Sequence, residues 1–302
     1  MVSWKRPLYK ETWPIDREAG QRPDGWSGWP DGKKFALILT HDVETTKGHD
    51  NCRKLMALEK RLGMYSSFNF VPERYTVSAE LRRHITNNGF EVSVHGLYHD
   101  GKLYRSRAKF QRRALKINKY LNEWGAVGFS SPSMQNNLEW THDLNITYDS
   151  STFDTDPFEP QNENVGTIFP FYVPNSSGSS GYVELPSTLP QDFTLFILMK
   201  EKGISVWKEK LEWIVERGGM VLLIAHPDYM NFEKRRCRND EYPAELYIEF
   251  LNHIKDNYTN QYWNPLPMDL ARFWKKGVKN KAEISTLNRP MEMPITNKGG
   301  NL

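Results

Sequence analysis

Three short segments of the sequence carry side chains that can bind a metal ion or transfer protons. They read Thr-His-Asp-Val-Glu at residues 40–44, His-Gly-Leu-Tyr-His at residues 95–99 and His-Pro-Asp at residues 226–228. The two histidines of the second segment are four positions apart, and in one helical turn this spacing places both imidazoles on the same side. Two imidazoles and one carboxylate suit a divalent cation such as Zn²⁺. The segments therefore predict metal-assisted acid–base chemistry, if the fold brings them together.

The first segment offers two carboxylates, Asp42 and Glu44. A carboxylate that binds a cation is held by that cation, whereas a general base needs a free oxygen close to the water that it deprotonates. We therefore expect one of the two to join His95 and His99 as a metal ligand and the other to act as a base. In the purely structural alternative, both carboxylates cap the helix that follows and His226 is a hydrogen-bonded residue of the core.

Apolar runs precede all three segments. The runs cover residues 35–40, 90–94 and 220–226, and helical patterns with apolar residues on one face lie between them. Strands that alternate with helices predict a parallel sheet with helices packed outside it. Because the carboxyl ends of parallel strands share one face, residues that are far apart in the sequence can meet there. About seven strand candidates in this pattern favour a barrel-like α/β fold over an open sheet.

The composition excludes several classes of protein. Of the 302 residues, 38% are hydrophobic and 25% are charged, which is typical of a globular chain. No apolar run approaches the ~20 residues of a membrane-spanning helix, and the first residues lack the apolar segment of a secretory signal. The net charge of +3, from 40 basic and 37 acidic side chains, is too balanced for a general nucleic-acid footprint. We therefore expect a cytoplasmic protein without a membrane span or a nucleic-acid partner.

The chain divides into three unequal parts. Residues 1–33 contain four prolines and four tryptophans with little periodicity, which predicts an irregular N-terminal arm. Residues 34–280 are the predicted α/β barrel domain, and residues 281–302 are predicted to form a polar C-terminal tail. Cys52 and Cys237 belong to neither a CxxC pair nor a disulfide framework, so we expect ordinary thiols.

Together, the three segments resemble the motifs of the polysaccharide deacetylase family, which has the NodB-homology fold of carbohydrate esterase family 4. The resemblance implies an irregular (β/α)7 barrel. Asp42 is similar to the family's general base and Glu44 to its acidic metal ligand. His95 and His99 correspond to the two histidine ligands of its His-x-x-x-His motif. The segment Leu223–His226 corresponds to the final motif, whose histidine is the general acid.

Two positions depart from the family pattern. Ser130, in the segment Gly128–Pro132, stands where the family usually carries an arginine that orients the base. A hydroxyl cannot supply a bidentate, permanently charged partner to Asp42, so either another cation replaces the arginine or activity is reduced. The second departure is Glu44, whose additional methylene group moves the carboxylate by more than a bond length, a shift to which metal sites respond.

Three residues are candidates for contact with a substrate, namely Ser130, Asp149 and Glu184. The last two follow strand candidates at positions where related proteins line the substrate groove. Asp149 is also a candidate for orienting His226. Both acidic residues are equally compatible with a role in turns. The histidines that lack a partner pattern, among them His41, are expected at the surface.

The resemblance covers about residues 34–230 and implies a metal-dependent hydrolase that removes an N-acetyl or other acyl group from a sugar or polysaccharide precursor. The implied partner is a carbohydrate, and the implied cofactor is a divalent cation, for which Zn²⁺ suits the ligand set best. Two alternatives stay open. The protein could be a catalytically impaired barrel that binds carbohydrate, or an amidohydrolase acting on a small non-sugar amide such as a cyclic ureide.

Overall fold

The computed structural model describes residues 5–158, 164–175, 180–233 and 235–287. The strands are β1 (Phe35–Val43), β2 (Ser66–Phe70), β3 (Glu91–His95), β4 (Gly128–Ser130), β5 (Tyr148–Asp149), β6 (Phe171–Val173), β7 (Tyr182–Glu184), β8 (Met220–Ala225), β9 (Met230–Asn231), β10 (Tyr242–Pro243) and β11 (Tyr262–Trp263). The α helices are α1 (Thr46–Leu62), α2 (Ala79–Asn87), α3 (Arg107–Trp124), α4 (Ser205–Arg217), α5 (Ala244–Tyr258) and α6 (Pro267–Leu287).

Seven of the described strands form a parallel sheet in the order β8-β1-β2-β3-β4-β5-β7. β6 pairs antiparallel with β7, and β11 pairs with the start of β1. Between β7 and β8, the backbone N–H groups of Thr188 and Leu189 donate to the carbonyl oxygen of Leu222 at 3.2 and 3.1 Å. The sheet therefore curls round on itself, and the prediction of an irregular α/β barrel is confirmed.

The apolar runs of the sequence form the centre of this sheet. All nine residues of β1 and all six residues of β8 are buried, as expected for parallel strands that are covered on both faces. α1 follows β1 directly. It begins after Thr45, whose hydroxyl accepts a hydrogen bond from the N–H of Gly48, and it ends at Gly63 with a φ of 74°. A rigid central strand and a capped helix thus hold the loop that carries Glu44.

The N-terminal arm packs against the barrel. It contains the short 3₁₀ helices Arg6–Tyr9, Arg17–Gly20 and Pro30–Gly32. Trp29 is buried, and its Nε1 donates to the carbonyl oxygen of Gly218 at 2.8 Å.

At the other end of the chain, α6 runs to Leu287 and crosses the predicted boundary at residue 280. Residues 288–302 of the predicted tail lie outside the described residues. The domain boundaries at residues 33 and 280 stay predictions. Among the described helices, none combines the length and the apolar content needed to cross a membrane.

His41 lies in the core, so the prediction of a surface position was wrong. Its Nε2 is 2.7 Å from Glu59 Oε1. The hydroxyls of Ser66 and Tyr247 donate to the same carboxylate at 2.6 and 2.5 Å. The reason is the alternation of side chains along a strand: Asp42 faces the barrel interior, so its predecessor faces the helix layer. There a buried carboxylate satisfies the imidazole.

Glu91, at the start of β3, is a buried carboxyl group inside the barrel. Its Oε1 accepts a hydrogen bond from the hydroxyl of Tyr148 at 2.9 Å, and its Oε2 accepts one from the backbone N–H of Met268 at 3.1 Å. Burial raises the pKa of Glu91 from 4.5 to about 7. The folded state therefore binds this proton more tightly than the unfolded chain does. The resulting stabilisation is complete below pH 4.5 and is lost as the pH rises through about 7.

Replacing this residue, Glu91→Gln, should make the free energy of unfolding less dependent on pH. Between about pH 4 and about pH 8, the stability of the variant relative to wild type should rise by about 3 kcal/mol, because each pKa unit corresponds to about 1.4 kcal/mol. Urea denaturation at both pH values measures this change. Glu80→Gln, at an exposed position of α2, is the matched control. An unchanged pH dependence in Glu91→Gln would contradict the prediction.

Candidate active site

The three segments meet at the carboxyl ends of β1, β3 and β8. β1 lies between β2 and β8, with Asp42 opposite Asn69 and His41 opposite Ala225. β3 ends in His95. A cavity of about 260 Å³ lies at this end of the barrel. It is lined by Asp42, Glu44, His95, His99, Ser133, Met134, Phe158, Gln191, Phe193, Thr194, Leu198, His226 and Tyr229.

Glu44, His95 and His99 form a cluster with the composition of a metal site. Each offers one ligand atom, and these atoms lie within 4.8 Å of one another. His99 Nε2 is 2.6 Å from Glu44 Oε1. His95 Nδ1 lies 3.1 Å from the carbonyl oxygen of Ser130, while its buried Nε2 has no hydrogen-bond partner among the described residues. A buried ring nitrogen without a hydrogen-bond partner has a lone pair that can bind a cation.

The segment 95–99 is not a helical turn, so the local structure expected for the His-x-x-x-His spacing was wrong. Gly96 has a φ of 62° and His99 a φ of 55°. A Cβ atom at Gly96 would lie 2.5 Å from Cδ of Pro132, so only glycine fits this position. The two imidazoles converge because the chain turns sharply where β3 ends, and their ring centroids are 5.3 Å apart.

The ionisation of the cluster suits cation binding. Burial lowers the pKa of His95 to about 4, so this ring is neutral. Burial raises the pKa of Glu44, but the hydrogen bond from His99 and the charge of His226 hold it well below its usual range. Neutral imidazole and ionised carboxylate are the forms that bind divalent cations, and two nitrogen ligands with one oxygen ligand are a zinc-type set. The donors present therefore fit a divalent metal.

Glu44 is fixed from both ends by Asp228 and Tyr229, to which the sequence analysis assigned no role. Its backbone N–H donates to Asp228 Oδ2 at 3.0 Å, and the hydroxyl of Thr45 donates to the other oxygen of Asp228. A Cβ atom at Gly48 would lie 2.1 Å from Asp228 Oδ2, so the first turn of α1 leaves room for this carboxylate. The hydroxyl of Tyr229 donates to Glu44 Oε2 at 3.1 Å. Glu44 Oε2 is thereby held, and Oε1 faces the histidines.

Tyr229→Phe should weaken metal binding without abolishing it. Partners that orient a metal ligand are typically worth about 10- to 100-fold in metal affinity, and this substitution removes only the hydroxyl. Competition between the protein and a chelator measures the affinity, with Tyr120→Phe on α3 as the matched control. An affinity equal to that of wild type would show that Tyr229 does not hold Glu44 in a ligating position.

Asp42 is buried beside the cluster. Its Oδ1 accepts a hydrogen bond from Asn69 Nδ2 at 2.7 Å, and its Oδ2 lies 3.5 Å from Ser130 Oγ and 3.6 Å from His95 Nδ1. In the part of the chain that the structure describes, no lysine or arginine forms an ion pair with Asp42. A replacement cation, the first of the two alternatives, is therefore not found among these residues, and reduced activity stays a prediction. Ser130 reaches Asp42 only with its hydroxyl, and its carbonyl oxygen contacts His95.

His226 is oriented by Asp192, a residue that the sequence analysis missed. His226 Nδ1 lies 2.6 Å from Asp192 Oδ1, and its backbone N–H donates to Asp192 Oδ2 at 2.8 Å. The hydroxyl of Tyr242 donates to the same Oδ2 at 2.8 Å. Burial lowers the pKa of His226, but the charge and hydrogen bond of Asp192 outweigh it and raise the pKa to about 10. The imidazole is therefore in its doubly protonated, cationic form. Its Nε2 lies 3.8 Å from Glu44 Oε1.

Asp149 and Glu184 lie apart from this cavity, so the prediction that Asp149 orients His226 was wrong. The two residues are paired in register on β5 and β7, and both are fully buried. The hydroxyl of Ser151 donates to Asp149 Oδ1 at 2.5 Å, and the N–H of Thr152 donates to Glu184 Oε1 at 3.1 Å. Burial raises the pKa of Asp149 to about 7 and that of Glu184 well above its usual value. Their contacts hold the turn that follows β5.

The comparisons with known proteins bear on the fold. No protein-family model matches the sequence, and no curated protein matches it. A putative polysaccharide deacetylase from Mycobacterium smegmatis has a TM-score of 0.65 at 17% identity, covering 85% of this chain and 96% of its own. A probable polysaccharide deacetylase from Pseudomonas aeruginosa PAO1 has a TM-score of 0.63 at 16% identity, covering 82% and 93%. The Puue allantoinase has a TM-score of 0.65 at 14% identity, covering 87% and 97%.

The chain therefore has the polysaccharide deacetylase fold. At these identities the similarity is one of fold, and it confirms at that level the resemblance drawn from the three sequence segments. The same fold carries an enzyme named as an allantoinase, so the choice of reaction depends on the side chains of the site.

Proposed function

We propose that this protein is a metal-dependent hydrolase that removes an N-acyl group, in the first instance acetyl, from a sugar-containing substrate. One observation carries the proposal. The ligand atoms of Glu44, His95 and His99 lie within 4.8 Å of one another, beside a buried carboxylate outside the cluster, Asp42, and a protonated histidine, His226. This combination of a cation site, a base and an acid is what amide hydrolysis requires.

Glu44, His95 and His99 would hold the cation, for which Zn²⁺ suits the donor set best. When bound, the cation supplies Lewis-acid polarisation of the acyl carbonyl and stabilises negative charge on its oxygen. The remaining chemistry belongs to the protein's own side chains.

Asp42 is proposed as the general base and His226 as the general acid. Asp42 takes a proton from the attacking water through its less tightly held oxygen, Oδ2, as the new carbon–oxygen bond forms. His226 gives its proton from Nε2 to the amine nitrogen as the carbon–nitrogen bond breaks. Asp192 keeps the ring of His226 oriented by its 2.6 Å contact with Nδ1. Transfer of the proton from Asp42 back to His226 through water restores the starting state.

The cavity supports a small substrate or the end of a longer one. Its volume of about 260 Å³ is below the range of about 300–1,000 Å³ that is usual for ligand pockets. Phe158, Phe193 and Tyr229 bring aromatic rings to its wall, which suits stacking on the apolar face of a sugar ring. The names of two structural neighbours, both polysaccharide deacetylases, support the same substrate class.

A second candidate is an amidohydrolase acting on a small cyclic amide. The specific observation in its favour is the Puue allantoinase, whose TM-score of 0.65 equals that of the first deacetylase. The two candidates share the site and differ in the substrate that fills the cavity.

The test is a substrate screen with protein that has been stripped with a chelator and reloaded with Zn²⁺. Acetate release from N-acetylglucosamine and from its short β-linked oligomers is measured beside hydrolysis of allantoin. Acetate release from a sugar supports the proposal, and hydrolysis of allantoin alone supports the second candidate. If a sugar binds without turnover, the protein is a carbohydrate-binding barrel and the proposed hydrolase is wrong.

A further inference from the structure

Asp42 is a buried carboxylate whose closest hydrogen-bond partner is a neutral amide. Asn69 Nδ2 donates to its Oδ1 at 2.7 Å. The contacts of Oδ2 are longer, at 3.5 Å to Ser130 Oγ and 3.6 Å to His95 Nδ1. A carboxylate that is removed from water needs strong partners, because an unsatisfied charged group in the interior is costly. Asn69 is thus the main protein group that holds this side chain in one orientation.

The geometry of the barrel places Asn69 for this contact. It lies on β2 directly opposite Asp42 on β1, so both side chains project from the same face of the sheet. Asn69 is itself buried, and its Oδ1 accepts a hydrogen bond from Ser67 Oγ at 3.2 Å. Since the carboxylate can only accept, the amide must turn its NH₂ group towards Asp42 and its oxygen towards Ser67. The two hydrogen bonds therefore fix the orientation of the amide.

We propose that Asn69 is the positioning residue for Asp42. The effect of this positioning on catalysis rests on the proposed function, in which Asp42 is the general base. An amide donor fixes one carboxylate oxygen without adding a positive charge. Oδ1 is held by the short bond, and Oδ2 is left with the longer contacts. Asn69 thereby fixes the orientation of Asp42 and leaves Oδ2 as the less tightly held oxygen.

The first test compares Asn69→Leu, which is similar in size and lacks the donor, with wild type in acetate release from an N-acetylglucosamine oligomer. We expect kcat to fall about 10²-fold, because a misplaced catalytic group costs this much, while KM changes less than about twofold. Zinc content should stay at the wild-type level. Ser93→Ala is the matched control, since Ser93 is the register partner of Asn69 on β3. A kcat within about twofold of wild type would overturn the proposal.

The second test does not depend on activity. Asn69→Leu is introduced into wild type and into Asp42→Asn, and all four proteins are prepared free of metal. The shift of the urea unfolding midpoint that Asn69→Leu causes is measured in each background. The shift should be larger in wild type, where the substitution leaves a buried carboxylate without its partner. Equal shifts would overturn the proposal. If wild type releases no acetate, the proposed function fails, and this comparison still decides whether Asn69 holds Asp42.

Discussion

Asp42→Asn should lower kcat by about 10²- to 10⁴-fold, the contribution that a positioned general base typically makes. The asparagine keeps an oxygen that can accept the hydrogen bond from Asn69, so the fold and the cavity are preserved. It cannot take up a proton, and the attacking water therefore loses its base. Steady-state kinetics with the best substrate of the screen measures the loss.

The metal content should be unaffected by this change, because Asp42 is not one of the three clustered ligands. Asp143→Asn, at a partly exposed position that pairs with Arg107, controls for the loss of a negative charge elsewhere. Activity within about tenfold of wild type would remove Asp42 from the role of base.

Asp192→Asn should have the second large effect, a loss in kcat on the order of 10³-fold. The neutral asparagine lacks the charge with which Asp192 keeps the ring of His226 protonated and oriented. The charge of Asp192 raises the pKa of His226 against the opposing effect of burial. Its removal should lower that pKa. The general acid then loses its proton at a lower pH, so the alkaline limb of the kcat profile should move towards acid.

Tyr242→Phe is the matched comparison for this variant, since Tyr242 donates only a neutral hydrogen bond to Asp192 Oδ2. We expect a loss of less than about tenfold there, because the charge that supports His226 remains. If Asp192→Asn keeps the wild-type kcat and the alkaline limb of its pH profile does not move, this carboxylate does not support His226 as the general acid.

The barrel could be predicted because its central strands have a strong pattern. The apolar run that opens β1 leads into Asp42 and Glu44, and the apolar run of β8 leads into His226. In a parallel sheet the carboxyl ends of the strands share one face, so the presence of Asp42, Glu44 and His226 at the same end of the barrel could be predicted. The sheet closes through Thr188 and Leu189, and the sequence around these residues has no comparable pattern.

The parts of the site that were missed depend on side-chain direction and on loops. Asp149 is the last residue of β5, much as Asp42 lies near the end of β1. It is in register with Phe129 and Glu184, however, and its side chain therefore lies on the face of the sheet opposite to that of His95. With only two residues in the strand, the sequence could not show which face Asp149 takes. Asp192 lies in an aperiodic segment before a π-helical turn, and nothing local links it to a histidine 34 positions later.

The His-x-x-x-His spacing predicted that the two imidazoles lie close together, but for the wrong local reason. The imidazoles of His95 and His99 meet across a turn with two positive φ angles, at Gly96 and His99, and not on a helix. Sequence spacing reports that two residues are near each other, whereas the backbone path between them depends on contacts such as that of Gly96 with Pro132.

The most direct test of the account is the metal content of the purified protein. Wild type and the double variant His95→Ala, His99→Ala are dialysed free of loosely bound ions, reloaded with Zn²⁺ and analysed for metal, with His84→Ala, His253→Ala as the control pair. We expect about one equivalent in wild type and in the control, and none in the double variant. No metal in wild type after reloading, or an equivalent retained by the double variant, would contradict the central claim that Glu44, His95 and His99 form a metal site.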